Sequence, residues 1–132
     1  MSTGIAKTIE LYAAVHLTVI GLSHVLQPGA WVRFFLLLRA QGEIGAFVNG
    51  FMSLVFGAII VAFHNIWEGS AIVLTLLGWA QIVKAAVNFL APQAGLRSLN
   101  RVALDRAWEF HVGGAVLLVV AGWLVFRLAQ GI

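Results

Sequence analysis

The twenty residues IGAFVNGFMSLVFGAIIVAF, Ile44 to Phe63, contain no charged side chain. The hydrocarbon core of a bilayer is about 30 Å thick, and a helix needs roughly 20 mainly apolar residues to cross it. The stretch therefore reads as a membrane span. Three others share its character: about Ile9 to Gln27, about Ala71 to Ala91, and about Ala107 to Leu128. The rest of the chain agrees. Of 132 residues, 61% are hydrophobic and 10% charged, and the mean hydropathy is +0.98. Soluble domains carry about 25% charged residues, so a water-facing surface cannot be built from this composition. The expectation is an all-α membrane protein, a single four-helix transmembrane domain over residues 1–132.

Several classes drop out. Without cysteine there is no disulfide, thiolate metal site or cysteine nucleophile. The opening MSTGIAKTIELYAAVHL carries Lys7 and Glu10 into a spanning segment and shows no small-residue cleavage pattern, so it reads as a span and not a signal peptide. A net charge of +3 could suggest nucleic acid. The basic residues instead cluster in loops beside apolar runs, which is the pattern of membrane orientation, and no nucleic-acid partner is expected.

The connection HNIWEGS is short enough to make spans two and three an antiparallel hairpin. Loop one holds Arg33 and Arg39. Loop three holds Arg97, Arg101 and Arg106 with Asp105 as its acid, while loop two has Glu68 and no Lys or Arg. This bias places loops one and three in the cytoplasm and both termini outside, in the cell (inner) membrane. Lys7 and Arg127 lie on the other side and run against it. AWVRFFLLLR, inside loop one, reads as an interfacial helix with snorkelling arginines. Trp31, Trp67 and Trp108 fall near interfaces, as an aromatic belt would.

HVLQPGAWVR, His24 to Arg33, has an echo 64 residues later in NFLAPQAGLR, Asn88 to Arg97. Leu26, Pro28, Ala30 and Arg33 match Leu90, Pro92, Ala94 and Arg97; His24 falls on Asn88, and Gly50 on Gly114. The expectation is a parallel repeat of two helical hairpins, with halves of about 1–64 and 65–132. Each proline ends a span without breaking its interior. Ala46, Gly50, Ser53 and Gly57 form a small-residue face for close helix approach, and Gly113, Gly114 and Ala121 another. The alternative for these faces is a pore lining.

Ionisable residues inside spans are costly and are functional candidates by default. In span three, Gln81, Lys84 and Asn88 make one polar stripe. Lys84 either snorkels or pairs with Glu43 or Glu109. His24, Glu43, Lys84, Asn88, Glu109 and His111 all lie towards the cytoplasmic side, with Asn49 slightly deeper. Together with Gln81 they define the expected site, a polar, hydrated vestibule. His16 near mid-bilayer and His64 at the hairpin turn are secondary candidates, and each also has a bland reading as a hydrogen-bonded core or turn residue. His24 and His111 could serve as a haem-type pair, with no metal site otherwise expected.

Three functions fit. The first is a homo-oligomeric transporter or channel. The second is a membrane enzyme, or a haem- or quinone-binding redox subunit, acting on a lipophilic small molecule. The third is an accessory subunit of a larger membrane complex. Small multidrug transporters resemble the chain in span number but carry a glutamate deep in span one, whereas Glu10 sits at the edge. Asn49-Gly50, Gly78-Trp79 and Pro92 are distantly similar to membrane-bound styrene oxide isomerases. The haem-ligating histidine of that family falls on Glu43 here.

Overall fold

The spans form because their backbone polar groups have no water to bond in a bilayer and must be satisfied within a helix. In the computed structural model, which describes residues 3–131, six α-helices follow one another. They are α1 (Thr3–Leu26), α2 (Pro28–Ala40), α3 (Glu43–Phe63), α4 (Ile72–Leu90), α5 (Pro92–Arg97) and α6 (Trp108–Gln130). Short 3-10 turns, Gly69–Ala71 and Leu104–Arg106, precede α4 and α6. There is no strand among the described residues. Four stretches are long and apolar enough to cross a membrane: Gly4–Leu26, Glu43–Phe63, Gly69–Leu90 and Leu104–Gln130. The protein is an all-helical membrane protein with four candidate spans.

The first helix starts earlier than its apolar run does. Lys7 precedes the span expected from Ile9 and Glu10 stands at its edge, and both are partnered. Lys7 Nζ lies 3.4 Å from the Gly131 carbonyl, and Glu10 faces Arg127. Loop one is the helix its composition suggested. Pro28 opens α2 and Pro92 opens α5, the first-turn position where a missing N–H costs nothing. A single residue separates each from the preceding span.

The contacts divide the chain into two units. The first, from residues 1–33 and 103–132, is α1 packed on α6. Ala13, Ala14 and Leu17 of α1 and Ala121 and Leu124 of α6 are all buried. Gly114 lies close against α1. A Cβ placed there would lie 2.6 Å from His24 Cβ and 2.7 Å from the Gly21 carbonyl oxygen. Gly113, the other half of that expected pair, meets nothing within 4 Å. Leu11, Val15, Val19, Val112, Val116 and Val119 are exposed, as lipid-facing residues should be.

The second unit, residues 34–102, packs α3 against α4, with α5 against both. Ala46, Gly50, Ser53 and Gly57 are all buried. A Cβ on Gly57 would lie 2.9 Å from the Gly78 carbonyl oxygen, and one on Gly50 would lie 3.1 Å from Asn88 Cβ. The small-residue face of span two is thus a helix contact. Without a hydrophobic drive between helices in lipid, such close approach supplies the van der Waals contact that associates them.

Candidate functional site

In the second unit the polar stripe of α4 leads to a crowded amide. Asn88 is 2% exposed, and its Nδ2 donates to the Lys84 carbonyl at 2.9 Å. Its Oδ1 has no hydrogen-bond partner. Gly95 of α5 lies directly against that oxygen, and a side chain there would collide with it. Asn49 on α3, one residue before the glycine that meets Asn88, is 1% exposed. Its Oδ1 also lacks a partner. A buried polar atom left unpaired costs about 1–3 kcal/mol, so two on one helix pair require a reason.

Lys84 is exposed, with Nζ 5.9 Å from the centre of the Phe35 ring, a cation–π arrangement. The same unit carries Gln81, half-buried, whose Cβ lies 2.9 Å from the position of a Cβ on Gly57. Glu43 is exposed in the first turn of α3, where a negative charge suits the helix dipole. It makes no ion pair with Lys84.

The first unit holds His24, Glu109 and His111. His24 is half-buried and its Nδ1 lies 2.8 Å from the Ile20 carbonyl oxygen. A carbonyl only accepts, so Nδ1 carries the proton. Trp31 stacks on the imidazole at 4.1 Å and donates its indole N–H to Ser23 Oγ at 2.8 Å. Phe110 approaches from α6 at 5.7 Å. Phe110 and Gly114 both approach His24 from α6, and Glu109 and His111, beside Phe110, are half-buried and exposed respectively. His16 is half-buried beside Tyr12, ring centres 5.9 Å apart.

His64 is fully buried at the end of α3, its Nδ1 3.3 Å from Thr75 Oγ1. Thr75 ties the hairpin turn together. Its hydroxyl reaches the carbonyls of His64 (3.0 Å) and Ile66 (2.8 Å) and accepts the Ile66 N–H (3.0 Å). Asn65 Oδ1 accepts both the Trp67 and Trp79 indoles, at 2.9 and 3.1 Å. Thr75→Val keeps the shape and removes the hydroxyl. It is expected to cost about 1–3 kcal/mol, measured by thermal unfolding in detergent, because it strands turn groups that are buried with it.

Two groups that sequence reasoning left out of the site are an ion pair. Glu10 Oε1 lies 3.2 Å from Arg127 Nε, and Oε2 lies 3.4 Å from Nη2. Both residues are buried, at 2% and 7% exposure, and link α1 to α6. The available signal was an acid and a base near the same ends of two spans. Compared with known proteins, the chain matches no family, no curated protein and no solved structure.

Proposed function

We propose that the protein is a small transporter or channel of the cell membrane with a polar, hydrated vestibule on the cytoplasmic side. The observation that carries this reading is the pair of buried, unpartnered amide oxygens, Asn49 Oδ1 and Asn88 Oδ1, within the α3/α4 unit. Water or a polar solute admitted between the packed helices would supply the missing donors. Gln81, Lys84 and Glu43 extend the polar surface along the same unit. His24, Glu109 and His111 are further polar candidates and belong to the α1/α6 unit. The orientation is the one the loop arginines predict, and the working form is a homo-oligomer or a member of a larger membrane complex.

Light-scattering flux in proteoliposomes, with urea, glycerol and ammonium chloride as solutes, tests the reading. Asn49→Leu and Asn88→Leu are each expected to lower flux about tenfold, the worth of one hydrogen bond to the solute. Lys84→Ala and Glu109→Gln should lower it as well. Wild-type flux in both of those variants would sink the vestibule. One observation favours the redox reading as second. With Nδ1–H fixed on a backbone carbonyl, Nε2 of His24 is the atom that would ligate a metal or haem. A Soret band in the purified protein, lost in His24→Ala, is its signature.

A further inference from the structure

Each unit, taken by itself, repeats a set of the other's contacts at an offset of 64 residues. His24 Nδ1 bonds the Ile20 carbonyl at 2.8 Å, and Asn88 Nδ2 bonds the Lys84 carbonyl at 2.9 Å. The Gln27 N–H donates to Ser23 O at 2.8 Å, and that of Ala91 to Val87 O at 2.9 Å. The Trp31 N–H reaches Gln27 O at 3.3 Å, and that of Gly95 reaches Ala91 O at 3.1 Å. Trp31 stacks on His24, and Gly95 lies against Asn88. The facing helices agree too. Gly114 meets His24 and Val25, and Gly50 meets Asn88 and Phe89. Further along, Gly57 meets Gly78 and Gln81. Their counterparts Ala121, Ala14 and Leu17 are all buried.

A proline break alone would recur by chance, since any span can end in one. A side-chain donor tied to its own helix four residues back, covered by the residue seven on and faced by a glycine of the partner helix, is a specific local arrangement. It occurs in both units at matching numbers.

We infer that the chain is a fused duplication in which each half is the other's binding partner. Residues 1–64 supply α1 and α3, and residues 65–132 supply α4 and α6. Each unit is built from one helix of each half, and His24 holds in one the place Asn88 holds in the other. The recognition surface is then the same in both directions. The glycine and alanine face of a half's second span seats against the polar break of the other half's first span. Tying a polar N–H to its own backbone lowers the cost of burying the group at that contact, for an amide as for an imidazole.

The chain has no cysteine, so an introduced pair reads cleanly. A protease site between the exposed residues Glu68 and Gly69 allows the folded protein to be cut into its halves. After cutting, the halves are expected to migrate together in mild detergent. With Ala14→Cys and Ala121→Cys, oxidised by copper phenanthroline, they should stay covalently joined under denaturing conditions until reduced, because these positions answer to the Gly78–Gly57 approach. Halves that separate on cutting, or a pair that does not link, would overturn the inference. A second measurement uses the uncut chain. His24→Asn should keep the thermal midpoint within about 2 °C, while His24→Leu lowers it by more than about 4 °C. Equal damage from the two would also overturn it.

Discussion

Glu10→Gln will destabilise the α1/α6 unit by about 3–5 kcal/mol, the usual cost of breaking a buried ion pair by removing one charge. The Glu10 carboxylate and the Arg127 guanidinium meet through two contacts at 3.2 and 3.4 Å and are almost wholly removed from solvent. Neutralising the acid leaves a guanidinium inside an apolar span, where a charge is expensive. Arg127→Gln should do comparable damage by stranding the acid. The informative variant carries Glu10→Leu and Arg127→Leu together. Burying a pair takes desolvation energy that an apolar pair does not, so the double variant should recover most of the loss. Thermal unfolding followed by circular dichroism in detergent reads all three. A double variant as unstable as the singles would mean that these side chains matter for packing and not for their charges.

Gly45→Ala is the second large effect. Gly45 is buried in the first turn of α3, against the backbone of Leu38 in the last turn of α2. A methyl group there would occupy the place of the Leu38 carbonyl. Backbone cannot rotate away as a side chain does, and only Gln41 and Gly42, the latter with φ 64°, join the two helices. The expected loss is about 3 kcal/mol, at the upper end of over-packing costs. Gly122→Ala is the control. It lies inside α6 with nothing within 4 Å of an added Cβ, so the better helix propensity of alanine should stabilise by up to about 1 kcal/mol. The same unfolding measurement separates the two. Similar behaviour in both glycine variants would remove the α2–α3 contact as the cause.

The spans were legible because bilayer thickness acts on each segment alone, and the helix ends because proline's missing N–H is a local fact. The small-residue face of α3 was legible for the same reason: its period lies within one helix. What escaped were partners. The stripe of Gln81, Lys84 and Asn88 pointed to a carboxylate for Lys84, whereas the structure sets it over Phe35, from a segment that read as interfacial. Thr75, a single hydroxyl in an apolar run, organises the turn eleven residues back. Glu10 and Arg127 stood at opposite ends of the reading, one as a flank and the other as a departure from charge bias. That Asn49 and Asn88 are buried with an oxygen unpaired could not be read at all, since it depends on what two other helices fail to offer.

Glu10 and Arg127 are 117 positions apart, and that separation sets an order of manufacture. A ribosome delivers α1 to the membrane long before it has made α6. The acid must wait in a half-finished molecule, while α3 and α4, consecutive spans, can close as soon as both emerge. The α1/α6 unit is therefore the last to be completed. A chain that stops short of Arg127 keeps an uncompensated carboxylate at its first span.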